Sequence, residues 1–316
     1  MILTTLFASL SFGLHNLQPL TIRPMKMEWE RSSQTYYVNH GHDVSAIHVN
    51  MGYVNQNYDS FGYSLGRESN NYNIPQWYID TLNRMYVPWV NYCDFGSDFN
   101  SLKRQSDALH NQLNINPFVY KQSFNFVADS RDVNRYVNAY HLSNKDSHDV
   151  NKFALNLQNH MLKLFALAKW HNSKYMDMVA QKVANKYDAD KFSQTPGSLD
   201  HDYSGLKQIA KRYGLPVGNT TDTQYIEASV WFTYLQNHDL SHISLAELKA
   251  IIYYLYAGLF FDDYNSNYEH ALFLTQSFKN GVFSVSFDHR GYLHFIVVDA
   301  NSTKKNTRIK LIKGQY

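Results

Sequence analysis

One segment limits the fold more than any other. Residues 245–261 (LAELKAIIYYLYAGLFF) carry one Glu and one Lys. Ser244 stands three residues before Glu247, the spacing of a capping box. This predicts a helix that starts after Ser244 and is apolar around most of its circumference. Such a helix is stable only when it is covered on all sides, so the rest of the chain must wrap it. Its apolar stretch, 251–261, is 11 residues long, short of the roughly 18 that a membrane span needs. It therefore reads as the buried helix of a globular core, and no transmembrane span is expected anywhere in the chain.

Behind this helix the period of the pattern changes. Residues 282–288 and 292–299 are β-rich runs separated by His289-Arg290-Gly291, and Gly can supply the positive φ of so short a connection. Upstream the period is helical. Phe153, Leu157, Met161, Leu164, Phe165 and Ala168 recur every three or four residues, and Tyr175, Val179 and Val183 repeat the pattern. Ser204 has the position of an N-cap. Leu206, Ile209, Ala210 and Tyr213 form an apolar face, and Gly214 then Pro216 stop that helix. Helices followed by a closing hairpin predict an α+β sandwich rather than a parallel α/β fold.

The chain of 316 residues is long enough for about two domains. Residues 1–72 form an N-terminal block closed by Gly62, Gly66 and an Asn-rich stretch at 68–73. Pro75 biases Ile74 away from helix. Residues 73–145 read as a helical connector, with helical patches at 101–113 and 132–140. Residues 146–300 form the sharply patterned domain, and 301–316 a C-terminal tail. The start, 1–14 (MILTTLFASLSFGL), has the apolar region of a signal peptide without a basic leader or clear cleavage site. It reads either as a degraded signal or as the first helix of a domain.

At 44% hydrophobic and 18% charged residues, the chain is too apolar for a disordered one. Cys93 is its only cysteine, so no intramolecular disulfide can form and the core must hold the fold. The 25 Tyr residues supply large rings whose hydroxyls need partners when buried. Rich in Tyr and Asn and poor in charge, the composition suits a secreted or surface protein. Net charge is +2, with a basic cluster at Lys304, Lys305, Arg308 and Lys310. That cluster reads as a solvated tail, which argues against a nucleic-acid partner.

The residues that could carry chemistry lie between 200 and 300: His201 with Asp202, Glu227, Glu247, and Glu269 with His270. Two imidazoles and several carboxylates drawn into one cleft would suit a divalent metal such as zinc or general acid–base work. His238 and His242 have i, i+4 spacing but precede the capped helix. Asp262, Asp263, Asn265 and Asn267 look calcium-like but lack the Gly and the acid an EF-hand loop requires. The chain has no HExxH, GxSxG, P-loop or GxGxxG motif.

Several segments in order resemble the PgrA-type surface-exclusion domain family of Gram-positive cell-surface proteins, whose C-terminal module resembles the CAP (SCP-like) superfamily. They are 74–79 (IPQWYI), 153–160 (FALNLQNH), 170–175 (WHNSKY), 199–202 (LDHD) with 206–215 (LKQIAKRYGL), 248–253 (LKAIIY), 268–271 (YEHA), 283–287 (FSVSF) and 293–297 (LHFIV). The resemblance implies a CAP-like α-β-α sandwich over 146–300 and an extracellular or cell-surface setting. It implies a cell-envelope or extracellular partner, with a role in surface exclusion or adhesion, and no established reaction. His201, Glu227 and His270 match three positions of the family's cleft of two histidines and two acids. Glu247 is the candidate for the fourth, though it lies farther from His270 than the family pattern places it. In the first block, His42-Asp43-x-Ser45 parallels His201-Asp202-x-Ser204, as a degenerate half-repeat would. Two rival functions are a metal-dependent hydrolase of cell-wall or extracellular material, with zinc held by His201 and His270, and a lipid or sterol carrier using the aromatic helix.

Overall fold

The computed structural model describes residues 27–31, 34–38, 63–69, 72, 74–95, 97–115, 126–192, 201–216, 226–231, 239–261, 263–264 and 267–313. Within 27–31, 34–38, 64, 93–95, 114–115 and 226–231 it describes backbone only. The expectations for 1–14, His42, Asp43, Ser45, His238, Asp262 and Asn265, and for the Cys93 side chain, lie outside the described residues.

Strands β1 (Met27–Arg31) and β2 (Gln34–Val38) form a hairpin, followed by β3 (Ser64–Gly66). Next come helices α1 (Gln76–Phe95) and α2 (Phe99–Ile115), then short strands β4 (Val127–Asp129) and β5 (Tyr136–Val137). Helices α3 (Asn144–Leu164), α4 (Lys174–Ala189) and α5 (Tyr203–Tyr213) follow, then β6 (Ile226–Trp231) and β7 (Ile243–Ser244). The chain ends with α6 (Leu245–Phe261), α7 (Glu269–Leu274), β8 (Gly281–Phe287), β9 (Tyr292–Asp299) and α8 (Lys305–Lys313).

The fold is α+β. Its main sheet is antiparallel in the order β6-β9-β8, and the β8–β9 register runs from Gly281 opposite Asp299 to Phe287 opposite Leu293. Gly291, at φ +92°, supplies the left-handed residue of the connection. Both faces of the sheet are covered. Leu293, Phe295 and Val297 join one apolar cluster; Tyr292, Ile296 and Val298 join another. Helices α3 and α6 belong to the first side, α4, α5 and α8 to the second. Because both pleats are buried, the polar residues of these strands, Ser284, Ser286 and His294, are buried along with the apolar ones.

Helix α6 is the centre of the first layer. Every residue in it except Glu247 and Gly258 is buried. Ser244 Oγ accepts the Glu247 N–H at 3.1 Å, as the capping-box spacing predicts. Much of its cover comes from residues before 146. Tyr72 stacks on Tyr253 at 4.6 Å, Tyr78 lies 5.2 Å from Phe261, and Phe126 lies 5.4 Å from Tyr253. One apolar cluster thus runs from Tyr63 to Val297. Three of the buried hydroxyls find acceptors here: Tyr72 donates to the Tyr253 carbonyl at 2.7 Å, Tyr256 to Gln158 at 2.5 Å, and Tyr78 to the Phe260 carbonyl. Pairing hydroxyls in this way offsets the cost of burying these rings.

Local expectations needed four corrections. The patch at 132–140 is not helical. Asp129 caps a 3-10 turn at Ser130–Asp132, and Tyr136-Val137 pair with Ile243-Ser244, so tertiary strand pairing overrides the helical pattern. The N-cap of α5 is Asp202, not Ser204; its carboxylate accepts the Gly205 N–H at 2.9 Å. Helix α3 ends at Leu164 rather than near Ala168, because Ala166 takes φ +56°. The basic segment after 304 is not solvated tail throughout. It forms α8, which buries Thr307 and Leu311.

Candidate functional site

The two candidate histidines fall in different layers. His201 lies just before α5, with Nδ1 3.4 Å from Tyr187 Oη. The same hydroxyl accepts the Asp202 N–H at 3.2 Å. The Tyr187 ring sits edge-on to His294, 4.5 Å between centroids, and the fully buried His294 places Nε2 3.1 Å from Asp288 Oδ2. Burial, with Asp190 nearby, pushes the Asp202 carboxyl up to about 6.

His270 belongs to the other layer. Helix α7 packs on α1 and α6. Asp263 accepts the His270 backbone N–H at 2.9 Å through Oδ2 and lies 2.8 Å from Nδ1 through Oδ1. Burial opposes the charged imidazole, but Asp263 outweighs it and holds His270 above its ordinary value. The neighbouring Glu269 is pushed up to about 8, first by burial and then by the charge of Asp263. Its Oε2 and the Trp89 Nε1 of α1 are both buried, and the indole N–H acts against the rise as a donor to the carboxyl. Burial thus shifts Glu269 toward its protonated form. The loop carboxylate Asp263 spends both oxygens on His270.

Glu227 stands in β6 at the register position opposite Ile296. Glu247 lies in the first turn of α6, half-buried, its N–H on Ser244. His201 thus contacts the α4–α5 layer and His270 the α6–α7 layer, each with its own partners. Among the described residues no group of three His, Cys, Asp or Glu side chains gathers to hold a metal ion. The aromatic residues of α6 are packed as core. His242, in the turn before β7, stacks on Tyr136 at 4.5 Å.

A different concavity gathers many charged side chains. A groove of about 730 Å³ opens beside α3, lined by six cations and four carboxylates. Each of the four carboxylates is already committed. Arg131 Nε lies 2.9 Å from Asp129 Oδ1; Arg135 holds Asp149, and also Asp146 from outside the lining. Lys249, buried on α6, places Nζ 2.5 Å from Glu68 Oε2 and 2.7 Å from Asp132 Oδ2. Burial disfavours the Lys249 ammonium, but the two carboxylates outweigh that and hold its pKa above the ordinary lysine value. Arg67, Lys145 and Lys152 are exposed and pair with no carboxylate among the described residues. The charge left over in the groove is therefore positive. A guanidinium and two ammonium groups around one concavity suit a phosphate or carboxylate ligand.

Sequence reasoning missed this groove because its lining comes from separate stretches, at 67–68, 129–156 and 249. One signal was available. Lys249 is the lone cation of an otherwise apolar helix, and a buried ammonium requires anionic partners from elsewhere in the chain.

Among solved structures, the chain is similar to one described as the CAP domain of Enterococcal PrgA, with 15% identity and a TM-score of 0.45 over 78% of this chain and 89% of that one. No family model and no curated protein matches it. Among the described residues, no helix is long and apolar enough to cross a membrane.

Proposed function

We propose that this chain is a CAP-like binding protein of the cell surface or exterior. It acts without catalysis, by holding an anionic group of an envelope or extracellular component in the groove beside α3. Surface exclusion or adhesion is the process such binding would serve. The observation that carries the reading is the charge balance of the groove: its carboxylates are committed to ion pairs, while Arg67, Lys145 and Lys152 are not. The helix–sheet–helix layering and the ordered sequence segments agree with the CAP-like part of the reading.

Calorimetric titration tests it. The probes are a glycerol-phosphate oligomer, an oligogalacturonate and neutral dextran, so that phosphate, carboxylate and uncharged sugar are separated. At least one anionic oligomer binds, more weakly as salt rises. The triple variant Arg67→Gln/Lys145→Gln/Lys152→Gln loses about 10- to 100-fold in affinity, the sum of three exposed charge contacts. Binding no stronger than to dextran would overturn the proposal. A Zn²⁺ titration of wild type and His201→Ala/His270→Ala covers the hydrolase alternative. Saturable Zn²⁺ binding lost in the double variant would favour a metal site over the groove.

A further inference from the structure

Helix α8 buries one side and leaves the other without a protein partner. Thr307 and Leu311 face the domain: Thr307 Oγ1 donates to the Tyr213 carbonyl at 3.3 Å, and Leu311 is fully buried in the α4–α5 cluster. Lys305, Arg308, Ile309, Ile312 and Lys313 are all exposed. Their spacing of i, i+3, i+4, i+7 and i+8 puts them on a single face. On that face two isoleucines, 41% and 40% exposed, sit among three cations.

The surroundings add charge of the same sign. Residues 300–313 contain five Lys and Arg and no Asp or Glu. Lys304 and Lys310 are exposed beside the stripe, with Lys310 over the Tyr175 ring. Lys211 and Arg212, exposed in the last turn of α5, adjoin the Tyr213–Thr307 contact. None of the seven cations pairs with a carboxylate among the described residues.

We infer that α8 is a docking face for an anionic lipid bilayer, lying in the plane of the surface with Ile309 and Ile312 pressed into the headgroup boundary. Apolar residues flanked by long cationic ones are the composition of an interfacial helix: the isoleucines gain by leaving water, and the lysine and arginine stems extend to anionic headgroups. A soluble polyanion would use the cations but not the isoleucines. A second copy meeting this face symmetrically would set like charges against each other. The site lies on α8 and α5, apart from the groove residues Arg67, Lys145 and Lys152, so the two proposals fail independently.

The test is co-sedimentation of the full chain with vesicles of phosphatidylglycerol and phosphatidylcholine, against vesicles of phosphatidylcholine alone. Binding to the anionic vesicles is expected, falling as salt rises, with little binding to the neutral ones. Lys305→Gln/Arg308→Gln/Lys313→Gln reduces partitioning about 100-fold, at roughly fivefold per cation. Ile309→Ser/Ile312→Ser weakens vesicle binding but leaves binding to dextran sulfate unchanged. Circular dichroism confirms that both variants, which leave Leu311 in place, stay folded. No preference for anionic vesicles overturns the inference. So does an isoleucine variant that binds vesicles as well as wild type, since the face would then be a site for soluble polyanions or nucleic acid.

Discussion

Replacing Lys249 with Met isolates the least expected feature of the core. Lys249 is 7% exposed in the second turn of α6, with Glu68 and Asp132 both on its ammonium and the Phe153 ring 5.5 Å away. Methionine matches the lysine stem in volume and removes the charge. The loss then comes mainly from two carboxylates left without their ammonium, and breaking a buried pair in this way costs about 3–5 kcal/mol. For a chain of this length that lowers the melting temperature by about 5–10 °C. Removing the carboxylates as well should reverse most of the loss. The triple variant Lys249→Met/Glu68→Gln/Asp132→Asn strands no buried ion and is expected within about 1–2 kcal/mol of wild type. Urea denaturation of wild type, single and triple variants gives both values. A single variant within about 1 kcal/mol of wild type would refute the reasoning, because the ammonium would then not be compensating buried charge. A triple variant no more stable than the single would refute it equally, since the cost would then lie in packing.

Two further predictions concern stability. Glu269 has its carboxyl raised from 4.5 to about 8, so the native state holds a proton that the unfolded chain releases. Stability contributed by this group is present below about 4.5 and is lost as pH rises through about 8; the raised His270 has the same sign, losing stability above its ordinary range. Glu269→Gln removes the carboxyl's part of that slope and stabilises the protein at pH 8 by about 2–4 kcal/mol; melting temperatures from pH 5 to 9 that keep the wild-type slope in the variant would contradict this. Gly214 caps α5 at φ +72°, and an added Cβ would stand 2.1 Å from Thr307 Oγ1. Gly214→Ala therefore costs about 1–2 kcal/mol from the left-handed backbone alone, more as α8 is displaced, and faster amide exchange in 305–313 than in wild type is the expected readout.

Much of the fold was legible because it rests on local periodicity. The apolar segment 245–261, its Ser244 cap, the two β-runs around Gly291 and the Gly214 stop appear in the structure close to where the pattern puts them. The errors cluster where a local preference competed with a distant partner. Tyr136-Val137 became a strand because Ile243-Ser244 offered it hydrogen bonds. The basic segment at 305–313 became a docked helix because Leu311 found an apolar pocket among α4 and α5.

The candidate site was less legible. Residue type identified His201 and His270 as chemistry-bearing, but type and spacing cannot report which side of a sheet a residue occupies. Tyr187 and Asp263 engage the two imidazoles in different layers. The charged groove was beyond reach for a related reason: its meaning lies in which carboxylates are already paired, and ion pairs such as Lys249 with Glu68 join residues 181 positions apart.

The sequence by itself determined that this chain folds around one apolar helix without disulfides, as an α+β protein closed by a hairpin. Those properties follow from hydrophobic period, capping and cysteine count, which act over a few residues or over the whole composition. Only the tertiary structure decided that side chains such as Tyr72, Tyr78 and Phe126 share the core of that helix, that the two histidines serve separate layers, and that free positive charge gathers beside α3 and on α8. Burial and charge pairing are properties of three-dimensional neighbours, and each of these neighbours is supplied by a distant part of the chain.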